Sequence, residues 1–255
     1  MMARPATLGL IGGTGLNKLG EPAEILSIDT PYGAPSDPIR VIESGALRLF
    51  FLPRHGSPHR FPPHLVNYRA NLWALREAGA ERVLAVSAVG GMREPYAPGS
   101  LALPDQLIDY SWGREHTYCD SPDVPLVHVD FSWPYEGELR RALLAAAGTA
   151  LLEVIDGGCI GVFQGPRLES GAEVARAQRD GCDMAGMTSL PEAGLARELG
   201  LDYAGIAVVS NWAAGVTDTP ISEDDITKTL AEPMARVRRL IDTLAASLEG
   251  EDTSP

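Results

Sequence analysis

The chain has 255 residues, 45% apolar and 22% charged, a composition that supports a continuous core and excludes a disordered or fibrous chain. A formal net charge of −13 with no block of Lys or Arg argues against nucleic acid or anionic membrane as partners, so an anionic substrate needs a local cationic site. No uncharged apolar run approaches about 18 residues, Met1–Thr7 leads straight into a Gly-rich turn, and Cys119, Cys159 and Cys182 lack paired zinc-site spacing; neither secretion nor membrane insertion is expected, and a cytoplasmic location is.

Strand-like runs alternate with helix-like segments, with no low-complexity linker and no internal repeat, which predicts one α/β domain over 1–248 and a disordered tail over 249–255. The first strand is Thr7–Ile11, and Gly12-Gly13-Thr14-Gly15 then turns with exposed N–H groups and a hydroxyl that can face an oxyanion. A tight structural turn explains the same residues equally well. A dinucleotide site is excluded because no G-x-G-x-x-G opens a helix and Pro22 follows closely.

Val41–Phe51 holds one or two strands, closed by Arg54-His55-Gly56, where a guanidinium fork stands beside an imidazole. His59 and His64 follow, but with prolines between them and no helix to align them they make a poor metal pair, and no metal is expected. Asn67–Ala78 reads as a helix stopped by Gly79, and Val83–Val89 as a short apolar strand running into Gly90-Gly91, with Ser87 and Ala88 near its end. Further helices are expected over Glu138–Ala147, ending at Gly148, and over Gly171–Arg179. A brief strand covers Met184–Met187, and Tyr203–Val209 carries Ser210 and Asn211 to its carboxyl end, where ligands of α/β sheets bind. Ser222–Leu248 is an amphipathic helix with an acidic start.

The stretches IGGTGL (11–16), DTPYGAPSD (29–37), PRHG (53–56), VNYRANLWAL (66–75), GPRLESGAE (165–173) and MTSLPEAGLARELG (187–200) together resemble the methylthioadenosine phosphorylase and purine nucleoside phosphorylase family. The resemblance runs in order along nearly the whole chain. It implies a single-domain α/β fold with a mixed, partly barrel-like sheet flanked by helices, assembled as a homotrimer. It also implies phosphate contacts from Thr14, Arg54, His55, Ser87, Ala88 and Thr188, and a ribose contact from Met187. Inorganic phosphate is then the co-substrate, and no cofactor is expected.

Phosphorolysis of a purine riboside passes through an oxocarbenium-like sugar while negative charge grows on the departing base. Phosphate must be held against the anomeric carbon and the purine must receive hydrogen bonds; no covalent protein nucleophile is needed, and no G-x-S-x-G elbow is present. The resemblance implies that Asn211, Glu169 and His55 are the residues taking part in catalysis.

Two departures bear on the base. Adenine-selective members read Thr-Asp-x-Asp where this chain reads Ser210-Asn211-Trp212-Ala213, and an asparagine amide donates to O6 and N7 of a 6-oxopurine. The methylthioadenosine branch reads Phe-Ser-Ser where this chain has Leu168-Glu169-Ser170; a glutamate there accepts N1–H, a donor that a 6-oxopurine has and adenine lacks. The bland alternatives are a solvent-facing glutamate at a helix start and an asparagine in a turn. At the sugar 5′ end, Thr219–Asp225 lacks the His that meets a 5′-hydroxyl, and Ile221 is the expected wall of an apolar pocket. His128 matches the residue that methylthioadenosine phosphorylases contribute across a subunit interface, although a lone loop His also fits an ordinary surface role.

The expected activity is phosphorolysis of S-methyl-5′-thioinosine to hypoxanthine and 5-methylthioribose 1-phosphate. Methylthioadenosine, or inosine and guanosine, are the alternative substrates.

Overall fold

A computed structural model of the chain describes residues 6–13, 15–16, 21–44 and 47–251. The Thr14 expectation and positions 252–255 lie outside the described residues. Among the described residues eleven strands form one mixed sheet. Strands β1 (Ala6–Gly12), β3 (Ile39–Ser44) and β4 (Leu47–Pro53) fall where the apolar runs place them, and β2 (Glu24–Leu26) adds an edge. The other strands are β5 (Arg82–Gly91), β6 (Leu101–Leu103), β7 (Gln106–Asp109), β8 (Ile155–Asp156), β9 (Cys159–Val162), β10 (Met184–Gly186) and β11 (Asp202–Trp212).

The centre of the sheet is β5. One of its edges pairs in parallel with β11 along its whole length. Its other edge is shared: β1 pairs with Val83–Ala85, and β10 pairs antiparallel with Gly90 and Gly91. Between these two partners, residues 86–89 have no strand neighbour on that edge among the described residues. Their backbone groups are open to ligand or side chain, as at the switch points where α/β sheets bind small molecules.

Alternation along β5 sorts side chains to two faces. Leu84 and Val86 join a cluster with Leu139 and Leu143 of α2 (Glu138–Thr149) and with Met234, Val237 and Ile241 of α5 (Glu223–Glu251). Val83 and Ala85 face Leu72 and Leu75 of α1 (Tyr68–Glu77) and Leu195 and Ala196 of α4 (Ser189–Glu198). The sheet therefore lies between two helical layers, each supplying the apolar stripe that the sheet face buries. The remaining helix, α3 (Gly171–Asp180), packs Val174 and Ala177 near Ala185 and Ala213.

Helix α1 matches expectation. Asn67 caps it by accepting from the Ala70 N–H at 3.1 Å, and Gly79 closes it at φ +103°, a conformation in which a side chain would be strained. Two boundaries differ. Strand β5 continues through the glycine pair because β10 and β11 pair with both residues. Helix α2 runs past Gly148, and the chain reverses instead at Leu151, φ +52°, whose N–H bonds to Gly148 O at 3.1 Å while that of Leu152 bonds to Ala147 O at 2.9 Å. This is a Schellman closure with leucine where glycine is usual, so propensity pointed three residues early. Helix α5 extends to Glu251, into the segment expected to be tail. No helix among the described residues is long and apolar enough to cross a membrane.

Gly91 shows why the glycine pair sits inside the strand: a Cβ there would lie 1.8 Å from the Tyr96 carbonyl oxygen and 3.1 Å from a Val209 methyl. Gly91→Ala should destabilise the protein by roughly 2–4 kcal/mol, measured as a fall in the urea midpoint. A change under about 0.5 kcal/mol would show that the Tyr96 loop yields freely.

Candidate active site

The open edge of β5 forms the floor of a cavity of about 460 Å³. Of the residues singled out from the sequence, Arg54, His55, Ser87, Ala88, Leu168, Glu169, Met187, Thr188, Asn211 and Ala213 all line it. They come from distant parts of the chain.

Arg54 follows β4, where its N–H continues the ladder to Gly12 O at 2.9 Å. Its side chain is only 1% exposed, as is that of Glu192 from α4. Nε and Nη2 donate to the two carboxylate oxygens at 2.7 and 2.9 Å, and Nη1 donates to Val86 O, on the open edge, at 3.1 Å. Tyr203 of β11 donates its hydroxyl to Glu192 Oε1 at 2.9 Å. Burial alone lowers the guanidinium pKa, but the Glu192 carboxylate reverses this and leaves it raised. Two of the five N–H donors remain for a ligand.

His55 accompanies Arg54 on the same turn and stacks on His59 with ring centroids 4.3 Å apart. Burial and the adjacent Arg54 charge depress its pKa to about 4, so it is neutral at pH 7. The Phe61 carbonyl lies 2.8 Å from Nδ1 and can only accept, which assigns the proton to Nδ1 and leaves Nε2 as an acceptor. The imidazole thus offers a lone pair rather than a positive charge.

Thr188 precedes α4 but makes no side-chain cap; its hydroxyl meets that of Ser87 at 3.1 Å across the cavity floor. The neighbouring Met187 carbonyl accepts from Arg114 Nη1 at 2.8 Å, fixing the turn that presents both residues.

Glu169 stands just before α3. The capping box of that helix is made by Ser170 and Glu173, with Glu173 also paired to Arg167 at 2.8 Å. Glu169 is therefore not needed as a cap. It lines the cavity, and burial raises its carboxyl pKa. Asn211 follows a β-bulge: Val209 pairs with Val89 and Asn211 with Gly90, leaving Ser210 as the extra residue. In a straight strand Ser210 and Asn211 would face opposite ways; the bulge lets both line one cavity, with Ala213 beyond them. Ser210 Oγ lies 2.7 Å from Asn211 Oδ1 and Asn211 Nδ2 donates to Trp212 O at 2.8 Å, which orients the amide.

Ile221 and His128 are not brought to this cavity. Ile221 precedes the first turn of α5, and the residue that lines the wall is Ile226, one helical turn further along on the face turned toward the sheet. His128 is exposed, on a segment with exposed Leu126, Val127 and Trp133. Missing from the sequence reading were Glu192, Tyr203 and Arg60. Glu192 had a signal, since a carboxylate between Pro191 and Ala193 in an apolar segment requires a buried partner.

Comparison with known proteins was made against this geometry. Residues 7–246 match the family model described as the phosphorylase superfamily. A probable S-methyl-5′-thioinosine phosphorylase from Xanthomonas campestris pv. campestris is 52% identical over 220 residues, covering 86% of this chain and 88% of the relative. An S-methyl-5′-thioadenosine phosphorylase from Pyrococcus horikoshii is 40% identical over 234 residues, covering 92% and 90%. Among solved structures, methylthioadenosine phosphorylase from Schistosoma mansoni in complex with tubercidin superposes with a TM-score of 0.89 at 30% identity, covering 96% of this chain and 92% of the other.

Two outcomes follow from the buried charges. Glu192→Gln leaves the Arg54 charge uncompensated and should cost roughly 3–5 kcal/mol of stability in urea denaturation; a loss below about 1 kcal/mol would mean that water reaches the pair. For His55 the folded pKa lies below the unfolded value of about 6.5, so the unfolded state binds the extra proton first. Stability should fall as pH drops from about 6.5 to about 4, by up to ~3 kcal/mol. His55→Asn, which keeps a donor for Phe61 O, should flatten this part of the profile; an unchanged slope would assign the titration elsewhere.

Proposed function

The chain belongs to the phosphorylase superfamily, and on that premise we propose that it cleaves S-methyl-5′-thioinosine with inorganic phosphate, giving hypoxanthine and 5-methylthioribose 1-phosphate. The observation that carries this reading is that Glu169 and Asn211 line the same cavity, with Ala213 and no aspartate among the described lining residues. A Glu169 carboxyl oxygen accepts N1–H of a 6-oxopurine and Asn211 Nδ2 donates toward N7 or O6; adenine has no N1–H to give it. The probable methylthioinosine phosphorylase from Xanthomonas campestris supports the same substrate class.

Phosphate binds on the free donors of Arg54, the hydroxyls of Ser87 and Thr188, and the open β5 backbone at Ala88. His55 Nε2 accepts a hydrogen bond from a phosphate or ribose hydroxyl. Phosphate oxygen attacks C1′ as the C1′–N9 bond breaks; the bond's electron pair leaves with the purine, which takes up a proton from solvent to give hypoxanthine. The developing negative charge on the base is met by Asn211, while phosphate lies against the cationic sugar. No cofactor enters this scheme.

Ile226, rather than a histidine, faces the 5′ substituent, which suits a thioether better than a hydroxyl. The exposed 124–133 segment, carrying His128 among apolar side chains, fits a contact between copies, and a homotrimeric cytoplasmic enzyme is the assembly we propose.

Steady-state kinetics with and without phosphate on methylthioinosine, methylthioadenosine and inosine test the reading. The expected order of kcat/KM is methylthioinosine first, with methylthioadenosine at least about tenfold lower; preference for methylthioadenosine would overturn the roles of Glu169 and Asn211. Asn211→Asp should raise the methylthioadenosine to methylthioinosine ratio by about tenfold or more, and no shift would place Asn211 outside base recognition.

A further inference from the structure

We propose that Arg60, at the mouth of the cavity, is the cation that recruits phosphate and supplies the positive charge its binding needs. The inference rests on the phosphorolytic reading above and adds a residue to it.

The argument is one of charge. Among the described residues, Arg54 and Arg60 are the two Lys or Arg side chains that line the cavity. The charge of Arg54 is matched by Glu192, held on both carboxylate oxygens and equally buried. His55 contributes an acceptor nitrogen, since its Nδ1 proton goes to Phe61 O. Glu169 adds a carboxylate to the same cavity. Among the described lining residues this leaves Arg60 as the arginine whose charge no carboxylate compensates, inside a protein of net charge −13. An oxyanion would enter against the field.

Arg60 has the opposite character. It is exposed, and no ion pair engages it among the described residues. Its contacts are neutral: Nη2 donates to Ser36 O at 3.0 Å, and the guanidinium lies 4.9 Å from the Phe61 ring centroid. The loop returns it to the site, because its backbone N–H bonds to His55 O at 2.9 Å. A Cβ on Gly56 would come within 3.0 Å of Arg60 Nε, so the side chain passes directly over the residue next to His55. A full positive charge is therefore kept beside the Arg54-His55 turn, with most of its N–H donors uncommitted.

A purely structural role would be the clamp on Ser36, and two variants separate the roles. Arg60→Gln keeps a donor for that carbonyl and removes the charge; Arg60→Lys keeps the charge and gives up the fork. With methylthioinosine as co-substrate, Arg60→Gln should raise KM for phosphate by about tenfold and Arg60→Lys by less than about threefold, the nucleoside KM moving far less in both. The decline of kcat/KM for phosphate with added sodium chloride, steep in the wild type, should flatten in Arg60→Gln. Unchanged phosphate KM and salt dependence in Arg60→Gln, with wild-type turnover still requiring phosphate, would overturn the proposal and leave the phosphorylase reading intact. Wild-type turnover that ignores phosphate would instead remove that reading and this proposal with it.

Discussion

The buried ion pair between Arg54 and Glu192 ties together the parts of the molecule on which the cavity depends. It joins the turn after β4 to helix α4, takes a hydroxyl from β11, and reaches the carbonyl of Val86 on the unpaired edge of β5. Taking two charges out of water is costly, and such a pair holds only when the remaining hydrogen-bonding capacity is satisfied. Here bidentate geometry, Tyr203 and Val86 satisfy it. The result is a guanidinium whose position is determined by four separate elements, with the two donors left over aimed from a rigid frame.

That rigidity has an electrostatic consequence. Pairing with Glu192 neutralises Arg54 at the distance of a ligand, and burial keeps His55 uncharged, so the inner end of the cavity works through directed hydrogen bonds rather than net charge. Long-range attraction then falls to a side chain that is less buried and less committed, a description that fits Arg60. Separation of the two tasks is economical in physical terms, because a deeply desolvated cation and a solvated one respond differently to the same anion.

Two local features shape the wall proposed to meet the base. The bulge at Ser210 brings Asn211 onto the same wall as its neighbour, and the capping of α3 by Ser170 and Glu173 releases Glu169 from the duty that glutamates perform at helix starts. Neither residue is charged with holding the fold, and both present hydrogen-bonding groups to one space. The absence of an acid at Ala213 keeps that space free of a second proton donor.

Much of this was legible in the sequence by itself. Apolar runs bounded by Gly and Asn determined β1, β4, α1 and the first part of β5, because burial of one face requires that pattern and a cap ends it. Motifs in order along the chain pointed to the family and to ten side chains that line one cavity. Short strands such as β6, β8 and β9, helix α4 with its break at Leu190, and the turn at Leu151 were not legible, since each is held by partners distant in sequence rather than by local preference. The same holds for Glu192, whose partner lies 138 positions away, and for the exchange of Ile221 for Ile226, which depends on where the first turn of α5 starts. Residue type and local pattern determine which chemistry a chain can carry. Only the tertiary structure decides which charges cancel, which remain free and which face one another, because those outcomes depend on distance and burial across the fold.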